Sequence, residues 1–263
     1  MPRLTHMALS TKNNRRLARF YEIIFGMEEV WNEAQNSATA YYIGDGYFQL
    51  NCLQIHSGSG RAKMVDGVEI LPDVGINHIG FEVDDIDEIE KRLSELSPPV
   101  KLTPSRPDGR YEDVRFDDPE ENPLELSVGG FDAGTGNGLP KIRHVGFGAK
   151  DPERLADFYK SVLSFKEVGR NGGDAIYLSD GTVNLALVKN SPIPKAGIQL
   201  LGFQVPSVEE IEDRIKKTMR AYTYKEEQPI EVRRRATDGP YKAVWLQDPD
   251  GNHIDLSEEG WQV

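Results

Sequence analysis

Within residues 75–83, GINHIGFEV, small or polar and apolar side chains alternate from His78 to Val83. Ile79, Phe81 and Val83 share one face of a strand, and His78, Gly80 and Glu82 share the other. The pattern predicts an apolar face packed on a helix and a polar face lining a cavity. THMALST (5–11), RHVGFGA (143–149) and QLLGFQV (199–205) repeat the rhythm. After each strand the period lengthens to that of a helix. Leu17, Phe20, Tyr21 and Ile24 stand at i, i+3, i+4 and i+7, and Ile86, Ile89, Leu93 and Leu96 follow a similar spacing. Ser207 with Glu210 reads as a capping box, and Asp151 precedes a proline at the first helical position, Pro152. Three short strands follow each helix; in the first case they are EEVWNE (28–33), TAYYIGD (39–45) and GYFQLNCL (46–53). The last strand of the second and fourth units sits behind a turn, DDPEEN or QDPDGN. The expected architecture is α+β: four βαβββ modules, paired into two cup-shaped half-barrels.

The modules arise from an internal repeat. LTHMALSTKNNRRLARFYEIIF (4–25) aligns with IRHVGFGAKDPERLADFYKSVL (142–163), placing His6 on His144 and Phe20-Tyr21 on Phe158-Tyr159. DGRYEDVRFDDPEENPLELS (108–127) aligns with DGPYKAVWLQDPDGNHIDLS (238–257), placing Glu125 on Asp255. Between the halves lies GGFDAGTGNGLP (129–140), glycine-rich and without periodicity. This divides the chain into an N-terminal domain, 1–130, a linker, 131–140, and a C-terminal domain, 141–263. The stretch 56–75 interrupts the first half and reads either as a flap over the cup mouth or as a plain connector.

Composition narrows the partners. The chain has 263 residues and a formal net charge of −12. An acidic surface disfavours nucleic acid and anionic lipid. Arg233-Arg234-Arg235 is the longest basic run and reads as a solvated strand face. No apolar run approaches the roughly 18 residues of a membrane span. MPRLTHMALS lacks an apolar signal core. With one cysteine, Cys52, no disulfide can form within the chain, so a reducing, cytoplasmic setting is expected.

The fourfold βαβββ pattern, the Phe-Tyr pair in the first helix and the DPDGNHIDL ending (248–256) together resemble the vicinal oxygen chelate superfamily. That group includes glyoxalase I, bleomycin-resistance proteins, methylmalonyl-CoA epimerase and extradiol ring-cleaving dioxygenases. The resemblance implies metal ligands on the first and last strands of each module. Carried over residue by residue, these are His6, Gln49, His78 and Glu125 in the front cup, and His144, Asn184, Leu200 and Asp255 in the rear one. Two imidazoles and a carboxylate suit one divalent ion, with Fe(II) or Mn(II) ahead of Co(II), Ni(II) and Zn(II). Gln49 would add a carbonyl oxygen or hold a water. Leucine donates nothing and aspartate is one methylene shorter than glutamate, so the rear set reads as vestigial; the alternative is an irregular site of His144, His253 and Asp255. A lone His78 or Glu125 also has a plain structural reading, as a hydrogen-bonded core histidine or a solvated edge carboxylate. His56 reads as loop surface.

Three functions fit the resemblance. The first is an extradiol-type dioxygenase acting on a small molecule with neighbouring oxygens. Arg115 stands where that group carries a tyrosine, and Tyr111 has the parity to substitute. The second is an epimerase, isomerase, lyase or glyoxalase-like enzyme on the same metal, with Glu125 or a residue near Glu33 as base. The third is a binding protein without catalysis. Asn51, Glu82 and Arg110 are expected to touch substrate, with Arg61 and Lys63 as further anchors for an anion. Homodimers are common in the superfamily.

Overall fold

The computed structural model describes residues 1–34, 38–57, 63–65, 68–104, 113–193, 196–221, 230–234 and 244–263. The first module comprises β1 (Arg3–Ser10), α1 (Asn14–Phe25), β2 (Glu28–Ala34), β3 (Ala38–Gly44) and β4 (Gln49–Ile55). A small hairpin, β5 (Lys63–Val65) and β6 (Val68–Ile70), occupies part of the stretch read as a flap or connector. The second module is β7 (Gly75–Glu82), α2 (Ile86–Ser94), β8 (Thr103–Pro104), β9 (Val114–Asp117) and β10 (Pro123–Ser127). The third is β11 (Lys141–Gly148), α3 (Pro152–Leu163), β12 (Lys166–Asn171), β13 (Ala175–Ser179) and β14 (Asn184–Val188). The fourth is β15 (Gly197–Gln204), α4 (Val208–Ala221), β16 (Arg233–Arg234), β17 (Val244–Gln247) and β18 (His253–Ser257).

Each half closes into one eight-stranded sheet, ordered β2-β3-β4-β1-β7-β10-β9-β8 in the first and β12-β13-β14-β11-β15-β18-β17-β16 in the second. The modules therefore pair within a half, through antiparallel β1–β7 and β11–β15. The caps fall where the sequence put them: Asp151 accepts from the Arg154 N–H at 3.1 Å, and Ser207 Oγ from the Glu210 N–H at 3.3 Å. The third strand starts later than its hydrophobic pattern suggests, at Gln49. Asp45 Oδ1 accepts the N–H groups of Tyr47 and Phe48 at 2.9 and 2.8 Å, which holds 46–48 in a turn rather than in the ladder.

The helix-facing side chains of both sheets merge into one buried cluster that spans the halves. α1 packs on α4, and α2 on α3. Phe25 of α1 stacks on Phe203 of β15, ring centres 3.9 Å apart and planes 9° from parallel. Four buried carboxylates clip the halves together in reciprocal pairs. Asp180 accepts the Leu4 N–H and Asp45 the Ile142 N–H, each at 2.7 Å. Tyr21 donates its hydroxyl to Asp248 at 2.9 Å, and Tyr159 to Asp118 at 3.1 Å. Burial pushes the Asp248 carboxyl up to about 6, against the hydrogen bonds from Asn252 and Tyr21 that favour its charge. Tyr21→Phe leaves this carboxylate one donor short without changing the packing volume. The expected loss is about 1–3 kcal/mol in urea unfolding, with Tyr159→Phe matching it from the other side.

Candidate metal centre

Register builds the front site. Gln49, His6, Gly80, Glu125 and Arg115 are successive cross-strand partners over β4, β1, β7, β10 and β9. One step along, Asn51, Ala8 and His78 form a second row. Leu124 and Leu126 are buried on the helix side, so Glu125 points into the cup. His6, His78 and Glu125 are all buried, and a ligand atom from each lies within 4.8 Å of the others. Among the described residues no other His, Cys, Asp or Glu set of three converges in this way.

The hydrogen bonds set the protonation states. Asn77 donates through Nδ2 to Ser10 Oγ at 3.1 Å, which leaves its Oδ1 to accept from His78 Nδ1 at 2.8 Å. That fixes the proton of a neutral His78 on Nδ1 and leaves Nε2 bare. Nε2 is 2.6 Å from Glu125 Oε2, so two lone pairs face each other. Burial lowers the pKa of His78, overriding the nearby carboxylate that raises it. Burial lowers His6 to about 3, assisted by His78. Glu125 goes the other way: burial opposes its charge, but the Arg115 guanidinium beside it helps hold its carboxyl well below the usual range. Two neutral imidazoles and one carboxylate are the ionisation states a divalent ion requires. His6 Nδ1 is buried with no hydrogen-bond partner, a second sign of a missing acceptor of lone pairs. The donor set therefore fits a divalent metal. Arg115 supplies part of the positive charge here, with Nη2 3.3 Å from Glu125 Oε2 and 3.4 Å from His78 Nε2.

Gln49 stands at its expected position beside His6, with its amide N–H anchored outside the site. Its Nε2 donates to the Asp132 carbonyl at 2.6 Å. The stretch read as a linker in fact reaches back over the front cup. Phe131 lies on the His6 ring, centres 4.3 Å apart and planes 15° from parallel. Gly46 N–H donates to the Ala133 carbonyl at 2.7 Å. Gly80 makes the stack possible: a Cβ there would come within 2.8 Å of Phe131 Cζ and 2.9 Å of His6 Cδ2. Neither Phe131 nor Asn77 was singled out from the sequence. A signal for Phe131 existed, because the second repeat continues past Ser127 and Ser257 to align Gly130-Phe131 with Gly260-Trp261.

The other expected residues scatter. Asn51 is buried beside Ala8 with Oδ1 unpartnered. Glu82 is instead paired with Arg3, 2.5 Å away, on the partly exposed end of β7. Arg110, Tyr111 and Arg61 lie outside the described residues, as do the side chains of Glu33 and Lys63. His56 is half-buried rather than on the loop surface. Its Nε2 is 3.4 Å from Thr39 Oγ1, and it lines a cavity of about 660 Å³ with Ser10, Lys12 and Asp73. Arg233 is exposed and paired with Glu231 at 3.1 Å, as a solvated strand face would be.

In the rear cup, His144, Gly202, Asp255 and Trp245 succeed one another in register from Asn184, and Leu200 takes the place of His78. His144, His253 and Asp255 do not converge on a common point, so the irregular second site is not formed among the described residues. His144 Nδ1 is 3.0 Å from Asn184 Oδ1 and its ring stacks on Trp261. His253 turns to Gln247, 3.2 Å away, and packs on Trp245.

The depressed His6 pKa has a measurable consequence. Its ring resonances in metal-free protein should stay at their neutral positions on acidification, with the midpoint at about 3. The folded state takes up this proton less readily than the unfolded chain. His6 by itself therefore leaves stability intact above 6.5 and lowers it as pH falls toward about 3, with a limiting slope of about 1.4 kcal/mol per pH unit. His6→Leu should show a shallower acid limb than wild type in pH-resolved urea melts.

The family model for the Glyoxalase/Bleomycin resistance protein/Dioxygenase superfamily matches residues 3–126 and 141–256. No curated protein matches the chain by sequence. Among solved structures, the 2,3-dioxygenase LapB from Pseudomonas sp. KL28 superposes with a TM-score of 0.67 at 17% identity, covering 99% of this chain and 93% of its own. The Mn(II)-bound glyoxalase from Novosphingobium aromaticivorans gives 0.68 at 16%, covering 100% and 85%. A variant of 4-hydroxymandelate synthase from Streptomyces coelicolor gives 0.65 at 12%, covering 97% and 91%. These likenesses establish a shared fold across chemically different proteins. Matched by the family model through both of its repeated halves, the chain belongs to the Glyoxalase/Bleomycin resistance protein/Dioxygenase superfamily.

Proposed function

We propose that the chain is a metal-dependent dioxygenase of the extradiol type, with His6, His78 and Glu125 as ligands to one Fe(II) or Mn(II). The observation that carries this reading is the convergence of two imidazoles and one carboxylate, His6, His78 and Glu125, with the Arg115 guanidinium beside them. Glyoxalase- and epimerase-like chemistry resembles a four-ligand set of His, Gln, His and Glu. Here Gln49 donates its N–H to the Asp132 carbonyl and keeps a contact with His6, and the imidazole and carboxylate donors that converge are two histidines and one glutamate. That set leaves coordination positions open for both a chelating substrate and a second reactant. When bound, the ion would supply Lewis acidity and a route for electrons between substrate and O₂.

The remaining residues supply position and charge. Asn77 holds His78 in the tautomer that presents Nε2. Phe131 covers the His6 ring and keeps water from that side. Glu125 and Arg115 cancel each other, so a divalent ion would leave the pocket with two net positive charges, which suits a substrate carrying neighbouring oxyanions. Arg115 is 36% exposed at its side chain while its Nη2 reaches Glu125, so its guanidinium can also hold a phenolate oxygen. Asn51 Oδ1 is a buried acceptor awaiting a hydroxyl donor. Cys52 is fully buried and takes no part; a cytoplasmic setting belongs to the same proposal.

The non-redox reading keeps two observations in its favour, the Gln49 side chain beside His6 with its oxygen untied by Asp132 and the superposition on a Mn(II)-bound glyoxalase. Elemental analysis after anaerobic purification, followed by oxygen uptake on a panel of catechols and hydroquinones, separates the two. Iron or manganese with ring-cleavage absorbance is the expected result. Turnover of a hemithioacetal or an epimerisable thioester without oxygen uptake would overturn the proposal. His78→Ala should empty the site, whereas Leu200→Ala should leave metal content unchanged; a fully loaded His78→Ala protein would refute the ligand assignment. Phe131→Ala, by freeing the His6 ring, should weaken Co(II) binding about tenfold in competition with a chromophoric chelator.

A further inference from the structure

The rear cup differs from the front one in an ordered way. Position by position, His78 is replaced by Leu200, Arg115 by Trp245, Asn51 by Ala186 and Ala8 by Gly146. At these four positions charge and hydrogen-bonding groups leave and aromatic or small apolar groups arrive, while Asp255 keeps a carboxylate and Gln199 an amide in the lining, which favours a neutral ligand over an anion. Random decay of an unused cup would be expected to close it, since larger side chains filling the space gain buried contact. Two of the four replacements instead shorten the side chain, at Ala186 and Gly146. The result is a cavity of about 250 Å³, lined by these residues with Leu200, Trp245, Trp261 and His144. It holds one substituted six-membered ring and little more.

The cavity has one oriented polar wall. Asn184 donates its Nδ2 to the Gln262 carbonyl at 2.7 Å, so its Oδ1 accepts from His144 Nδ1 at 3.0 Å. This places the imidazole proton on Nδ1 and leaves Nε2 as an acceptor. Trp261 lies flat on the same ring, planes 6° from parallel and centres 4.7 Å apart, and fixes its orientation. Gly202 permits that stack, since a Cβ would come within 2.7 Å of His144 Cβ and 2.8 Å of the Trp261 ring. The imidazole stays neutral because burial lowers it to about 4.

We infer that the rear cup is a second, metal-free binding site for a neutral, single-ring phenol, whose ring lies among Trp245, Trp261 and Leu200 and whose hydroxyl donates to His144. The size admits one ring, the walls favour an aromatic face, and the acceptor requires a donor on the ligand. The site is independent of the metal reading of the front cup, because none of the front ligands lines it.

The chain has three tryptophans, and two of them line this cavity. The third, Trp31, is exposed, so a Trp31→Phe background leaves only the two reporters. Phenol titrated into this protein after metal removal should quench fluorescence saturably, with Kd on the order of 1 mM. Anisole, which lacks the donor, should bind about tenfold more weakly. Leu200→Phe, which carries an added ring into the cavity, should weaken phenol at least tenfold while the thermal melt stays cooperative. Because that variant could misfold, the wild-type protein supplies a second reading. Intermolecular NOEs should connect phenol protons to the Trp245 and Trp261 indoles. Linear, non-saturating quenching, equal affinity for anisole, or NOEs confined to residues of the front cup would each overturn the inference.

Discussion

Glu125 is a carboxylate sunk in the floor of a cup, 2.6 Å from an imidazole nitrogen whose partner nitrogen is already spoken for. Removing a charge from water is costly unless a counter-charge replaces the solvent. Arg115 offers part of that counter-charge at the rim, but the lone pairs of His78 Nε2 and Glu125 Oε2 still face one another. The geometry of the front half follows from this demand. The bulge-broken β1–β7 pairing brings Ala8 opposite His78 and His6 opposite Gly80, so that two imidazoles from different modules meet over one carboxylate. Asn77 and Phe131 then immobilise one ring each.

The duplicated half shows what happens when that demand is lifted. Histidine at position 144 survives although its partners at 200 and 245 have become leucine and tryptophan. It survives by other means: Asn184 takes its Nδ1 proton and Trp261 covers its face. The aromatic lid is thus common to both halves, since Phe131 and Trp261 occupy matching places over cups with different chemistry. A lid that serves both cups does so by keeping the imidazole dry and neutral, which is useful for holding an ion and equally useful for accepting a phenolic proton.

The alternation along β1, β7, β11 and β15 made the fold legible, because a buried sheet face cannot tolerate a register slip. The same alternation put His6, His78 and Glu125 on one surface, so their meeting could be read from parity and repeat spacing. Three things could not. The tie from the Gln49 amide N–H depends on the path of 129–136, and that path has no periodicity to read. Asn77 belongs to the same strand as His78 yet reaches its neighbour's ring, a contact that parity alone assigns to the opposite face. The clip carboxylates Asp45, Asp118, Asp180 and Asp248 sit in turns, where aspartate is expected for local reasons, and nothing local announces that Asp45, Asp180, Asp118 and Asp248 receive donors from the other half.

Those clips explain why a half without a metal set is retained. Phe203 of the rear sheet stacks on Phe25 of the front one, and one core runs through both, so neither sheet has a complete apolar face by itself. Each half also gives its partner two buried acceptors and receives two donors in return. A rear half reduced to scaffold would need only its helix-facing residues. Its cup-facing residues are then released from ligation but not from solvent exclusion, since Trp261 must still seal His144. Under that constraint a cup can exchange its polar side chains and lose volume only where the seal allows, and a largely apolar, ring-sized space beside a fixed acceptor and the Asp255 carboxylate is where such a surface comes to rest.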